Sequence, residues 1–98
     1  TDILEHAIDD SWARDAGPCL LTDGKGGKAG VSYGFNAWGR KYHPYDGDDS
    51  AAGAMVKAAG CRLFQSPMIA EGGSISVDGR GTILTTESCL PNANRNPD

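Results

Sequence analysis

Apolar and polar positions alternate along this chain in short runs punctuated by glycine. Cys19 to Thr22 and Ala29 to Phe35 both have strand character and flank a Gly- and Lys-rich cluster, so a first hairpin is expected near 19–35. The next stretch, "NAWGRKYHPYDGDD", mixes Gly, Asp and aromatic residues with Pro44 and reads as an ordered loop. In "SAAGAMVKAAG" the pattern changes to helical, giving a helix near 49–60 with Asp48 or Asp49 as N-cap and Gly60 as the stop. Its inward face would carry Ala51, Met55, Val56 and Ala59, a narrow small-residue stripe suited to close packing on a sheet. Arg62 to Gln65 reads as a short strand stopped by Pro67. Finally, "SISV" and "TILTT" bracket Asp78-Gly79, whose tolerance of positive φ marks a second hairpin near 74–86.

The order hairpin, helix, strand, hairpin makes the chain α/β, and the two hairpins resemble each other. Asp15 precedes "LLTDGKGGKAGV" as Glu71 precedes "SISVDGRGTILT", so an acid-then-hairpin unit recurs at a period of about 55 residues. Such periods belong to propellers and other modular arrays, in which both acids would point toward one shared centre.

With 98 residues the chain has room for one domain with a modest core. A net charge of −4 argues against nucleic acid or an anionic membrane as partner and suits a cationic small molecule better. Cys19, Cys61 and Cys89 form an odd, widely spaced set without a CxxC pair, which points to a reducing, cytoplasmic compartment rather than a disulfide framework. No apolar run is long enough to span a bilayer, and the first residues lack the pattern of a signal peptide. The chain starts without Met and finishes on the loop-like "NANRNPD", as a piece excised from something longer would.

Two constellations could carry chemistry. In "DDSWARDAGP", Asp9, Asp10, Trp12, Arg14 and Asp15 lie within a few positions. One reading is a cation pocket in which Asp15 accepts hydrogen bonds and the Trp12 face adds a cation–π attraction of roughly 0.5–2 kcal/mol. The other is an Arg14–Asp ion pair beside a core tryptophan. The second constellation is Glu71 with Gly72 and Gly73, an acid with no basic neighbour in sequence, followed by glycines that permit close backbone approach. Either it is held in a pocket or it is a solvated residue at a strand start. Two acids facing one site repel unless a cation lies between them, and a planar guanidinium would be a natural occupant.

Other features are weaker. Cys89 would need His6 or His43 as a base to act as a nucleophile, and otherwise is a buried structural thiol. "DGDD" at Asp46 to Asp49 lacks the pattern of a calcium loop and reads as helix capping; no metal is expected. "GKGGK" lacks the spacing of a phosphate-binding loop and reads as a flexible hairpin tip. Phe35, Trp38, Tyr42 and Tyr45 could roof a pocket, although packing is the simpler role.

Taken in order, "SWARDAGP", "FNAWGRKY", "PYDGDD", "EGGSISVDGRGTILTTESCL" and "NRNP" resemble agmatine deiminases and the related bacterial peptidylarginine deiminases, from about Asp9 to Pro97. The resemblance implies the pentein fold, an α/β propeller of five ββαβ-type modules, of which this chain would supply about two. It also implies hydrolysis of the guanidino group of agmatine to N-carbamoylputrescine and ammonia, without a cofactor. In that chemistry a Cys thiolate attacks the guanidinium carbon, ammonia leaves, and water cleaves the thiouronium adduct with a His as general acid and base. By motif, Asp15 corresponds to a guanidinium-binding acid, Trp12 to a pocket wall, and Glu71 to the carboxylate beside the catalytic His.

There are departures. The family's His-x-Asp segment and nucleophilic Cys lie beyond the matching region, Cys89 is not at the nucleophile's position, and "LPNANRNP" differs from the usual pattern at Pro91 and Ala93. Residues 1–98 are therefore expected to form a partial deiminase domain, inactive alone, partnered by the remaining modules or by another copy. The alternatives are a non-catalytic binding or assembly module, a piece of a peptidylarginine deiminase, or a hydrolase built on Cys89.

Overall fold

The first hairpin is set by its turn. In a computed structural model that describes residues 3–97, Asp23 Oδ1 accepts hydrogen bonds from the amides of Lys25 (2.8 Å) and Gly27 (2.9 Å). Gly24 and Gly26 take φ of +71° and +98°, which an L side chain would resist. The chain then returns with β1 (Cys19–Thr22) antiparallel to β2 (Lys28–Gly34), Cys19 opposite Val31 and Thr22 opposite Lys28. The tip is an ordered Asp-centred turn, not the loose glycine loop its composition suggests.

α3 (Asp46–Ala58) crosses from β2 to β3 (Arg62–Ile69), which pairs parallel to β2, so the sheet order is β1-β2-β3. The helix buries Ala51, Ala52 and Val56, whereas Met55 is half-buried and Ala59 exposed. Close packing is enforced at Gly30, where any Cβ would run into the Val56 side chain. At the far end, Gly60 at φ +65° closes the helix, its amide bonding to Lys57 O while Cys61 bonds to Val56 O.

Two boundaries differ from expectation. Helix α3 starts at Asp46, a turn early, and neither Asp48 nor Asp49 caps it. The cap comes from Asp9, whose Oδ2 accepts from the amides of Gly47 (2.9 Å) and Asp48 (3.4 Å). Asp48 Oδ1 reciprocates toward the amides of Asp9 (3.0 Å) and Asp10 (3.3 Å), and Asp49 Oδ1 accepts from Phe35 N at 2.6 Å. The acidic run thus docks two distant segments on the positive end of a helix. Strand β3, for its part, runs through Pro67 to Ile69. A register shift between Ser32 and Gly34 places Gln65 opposite Ser32 but Ile69 opposite Gly34, so the proline lies in the irregular stretch of an edge strand where a missing N–H is tolerated.

The second hairpin pairs β4 (Ser76–Val77) with β5 (Ile83–Leu84), shorter than the expected span. Ser74 is drawn into a 3₁₀ turn (Gly72–Ser74), its hydroxyl and amide both donating to Glu71 O. The hairpin tips nevertheless repeat. Asp78 Oδ1 accepts from Arg80 and Thr82 amides as Asp23 does from Lys25 and Gly27, with Gly79 and Gly81 at φ +71° and +99°.

The core is thin. Ala16, Phe35 and Ala37 cluster beneath Trp38 and Tyr45, and most of the other buried apolar residues are alanines. Among the described residues no helix is long and apolar enough to cross a membrane.

Candidate functional site

Asp15 lies in α1 (Ala13–Ala16), a single turn begun by the amides of Asp15 and Ala16 donating to Trp12 O. Its carboxylate is held on both sides. Oδ2 accepts from Trp38 Nε1 at 3.2 Å, and Oδ1 accepts from Gly73 N at 3.1 Å. Arg14 forms no ion pair with it; among the described residues the one ion pair lies elsewhere.

Trp38 reaches Asp15 because its backbone is left-handed. α2 (Ala37–Arg40) is one helical turn in which Ala37, Trp38, Gly39 and Arg40 all have positive φ, with Trp38 at φ 57° and ψ 42°. Each non-glycine residue there carries a cost of roughly 1–2 kcal/mol. Asn36 offsets part of that cost: Oδ1 accepts from Gly39 N (2.9 Å) and Nδ2 donates to Asn94 O (2.8 Å). The turn delivers an indole that contacts three other rings edge-on, Phe35 at 5.3 Å, Tyr42 at 5.9 Å and Trp12 at 6.1 Å between centroids. Asp15, Trp12, Trp38 and Tyr42, with Asp10 and Lys41, line an open cavity of about 480 Å³. Trp12 forms its wall at 58% exposure, so it is not a core residue.

Glu71 follows β3, where Ala70 N bonds to Gly34 O and carries the parallel ladder one residue further. It is 3% exposed and accepts a hydrogen bond from Arg95 Nε at 2.9 Å, forming a buried ion pair. It is neither solvated nor unpartnered. The glycines after it are required by α1. A Cβ on Gly72 would meet Arg14 O, and one on Gly73 would meet the Asp15 carboxylate. The two predicted acids are therefore brought onto adjoining turns, with Gly73 as the link, but Glu71 does not line the cavity that holds Asp15 and Trp12.

The thiols lie outside this arrangement. Burial pushes the Cys19 thiol up, toward its protonated, inert form. Among the described residues neither His hydrogen-bonds Cys89: His6 bonds to Ser50 Oγ at 3.0 Å and the His43 ring lies 5.2 Å from that of Tyr45. Among the described residues no group of three His, Cys, Asp or Glu side chains is arranged to hold a metal.

The model for Porphyromonas-type peptidyl-arginine deiminases matches residues 1–98. The chain belongs to that family. A Shewanella sp. (strain MR-4) protein named "Putative agmatine deiminase" is 48% identical over 100 residues, covering 98% of this chain and 27% of its own length. The agmatine deiminase of Enterococcus faecalis superposes with a TM-score of 0.89 at 39% identity, over 94% of this chain and 27% of that one. A substrate-bound agmatine deiminase of C. jejuni gives 0.84 at 32% identity, over 98% and 28%. This deiminase-family chain thus spans about 27% of the length of the relatives it matches. Its α/β fold is part of their propeller-like domain, with β1-β2-α3-β3 as one ββαβ unit and β4-β5 as a further hairpin.

Sequence reasoning named Asp15, Trp12 and Glu71, placed Trp38 in an aromatic loop that roofs a pocket or packs, without the bond to Asp15, and gave Arg95 no role. The signal for Trp38 was the Asn36 and Gly39 pair around it, a turn signature inside an aromatic segment. For Arg95 the signals were its place in the "NRNP" stretch and a basic residue within an asparagine-rich run, and its partner lies 24 positions away.

Proposed function

We propose that this chain forms the guanidinium-cradling part of an agmatine deiminase, a hydrolase that converts agmatine to N-carbamoylputrescine and ammonia. One observation carries the reading: the Asp15 carboxylate, fixed by Trp38 and Gly73, faces an aromatic-walled cavity. A guanidinium N–H would donate to Asp15, and the faces of Trp12 and Trp38 would contact the delocalised cation. Glu71 would act as the catalytic carboxylate on the adjoining turn, beside a His supplied outside this stretch. A thiolate, likewise from outside, would add to the guanidinium carbon; ammonia would leave, and water would release the carbamoyl product and regenerate the thiolate.

The role of these 98 residues is binding and orientation, because the cavity is lined by neither Cys nor His among the described residues. Completion would come from further deiminase modules or a second copy. Three free cysteines favour a reducing cytoplasm as its location. The test is titration of the protein with agmatine and with putrescine, read by tryptophan fluorescence, beside an ammonia assay. Agmatine should bind in preference to putrescine, which lacks the guanidinium, and no ammonia should form. Equal response to both ligands would defeat the reading of the cavity, and turnover would defeat the division of labour.

A further inference from the structure

The segment after the second hairpin, residues 92–97, joins both halves of the site. Asn92 folds it into a tight turn, with its O accepting from the amides of Arg95 (3.0 Å) and Asn96 (2.8 Å). Asn96 then clasps the end of β3, Oδ1 accepting from Ile69 N (3.0 Å) and Nδ2 donating to Ile69 O (2.9 Å). Between them, Asn94 O receives Asn36 Nδ2 and Arg95 Nε donates to Glu71. Gly39 leaves the space for this contact: a Cβ there would lie 2.9 Å from Arg95 Nη1 and 3.0 Å from Asn94 Cβ.

Following these bonds traces a closed ring. Asp15 joins Trp38, whose left-handed turn is held by Asn36; Asn36 joins Asn94; Arg95 joins Glu71; and Gly73, two residues beyond, returns to Asp15. The Arg95–Glu71 contact is the charged member, with the two side chains 8% and 3% exposed. A fork-shaped guanidinium with fixed donor directions sets a carboxylate's orientation as an ammonium does not. We infer that Arg95 is a positioning residue of the guanidinium site: it orients Glu71 and, by closing the ring, holds Trp38 and Asp15 in register. This rests on the reading of Asp15 and Glu71 as acids that serve a guanidinium.

The experiment compares Arg95→Ala, Arg95→Lys and Asn36→Asp with the wild-type protein by agmatine titration and by the indole N–H resonance of Trp38 in nitrogen-15 spectra. Arg95→Ala should move the indole resonance and weaken agmatine binding by at least about tenfold. Arg95→Lys keeps the buried charge opposite Glu71 and so protects the fold; it should still move the resonance and weaken binding by about threefold to fivefold. Asn36→Asp keeps the acceptor for Gly39 but removes the donor to Asn94, breaking the ring on its other side, and should move the same resonance. If Arg95→Ala does not fold, the other two variants decide. Folded variants with an unmoved indole signal and wild-type affinity would overturn the inference. Failure of the wild-type protein to bind agmatine would instead defeat the ligand reading, while the indole shift in Arg95→Lys would still report whether Arg95 sets Trp38.

Discussion

Asp15 has little freedom. With one oxygen held by an indole N–H and the other by a backbone amide, its orientation is set without a ligand, so the proposed guanidinium would meet acceptors that need no reorganisation. Asp15→Asn preserves shape but removes the charge and turns an NH₂ toward one of those two donors. A hydrogen bond to a charged group contributes about 1.5–3 kcal/mol, so agmatine affinity should fall by tenfold or more in calorimetric titration. Unchanged affinity would place the cation elsewhere. At this scale the sequence was half legible. Asp15 and Trp12 stand in one short motif, and the cavity wall follows from it. The partner of Glu71 was hidden because an ion pair between positions 71 and 95 leaves no local pattern, and the bond from Trp38 to Asp15 was hidden because three non-glycine residues with positive φ defy backbone preference.

Elements translate these residues into position, and the two kinds of glycine separate how. Gly73 has an ordinary backbone, yet its missing Cβ makes room for the Asp15 carboxylate; Gly79 faces open space, but its φ of +71° disfavours a side chain. Gly73→Ala should therefore lower stability by about 1–3 kcal/mol, through overpacking, and also weaken agmatine binding. Gly79→Ala should cost about 1 kcal/mol without touching affinity, as thermal melts beside ligand titrations would reveal. The turn around Gly79 also carries a pH signature. The amides of Arg80 and then Thr82 hold the Asp78 carboxyl below its usual value, so the charged form is favoured in the folded state. Its contribution is present above the unfolded pKa and disappears as pH falls through the lowered folded one. Protection of the Thr82 amide, taken relative to its intrinsic exchange rate, should fall over that acid range, and Asp78→Ala should abolish this pH dependence.

Hairpins and helix were readable because glycine turns, a small-residue stripe and a C-terminal glycine are local signals. The start of α3 was not, since its cap is supplied by Asp9 from a different segment, and the run of β3 past Pro67 depends on a register shift that only the neighbouring strand defines.

Across the whole molecule, the internal repeat carries the architecture. Two Asp-centred turns with nearly identical glycine φ values recur in the two hairpins, and Asp15, which precedes the first, bonds the amide of Gly73, two residues after the Glu71 that precedes the second. A unit of this kind buries its apolar face against neighbours rather than within itself. The distribution of exposed side chains fits that logic. Leu20 is 73% exposed, Leu84 73% and Val77 65%, while among the described residues β1 and β3 are the edges of the three-stranded sheet. In the relatives, which are several times longer, more chain is present to cover such surfaces. By itself the protein should therefore self-associate at concentrations on the order of tens of micromolar and bind a dye that reports exposed apolar surface. Leu20→Lys combined with Leu84→Lys should shift sedimentation toward the monomer and leave agmatine binding intact, because neither residue touches the cavity around Asp15. Monomeric behaviour of the unmodified protein with no dye response would mean that these faces are stable in water without a partner, and the modular reading would lose its main physical support.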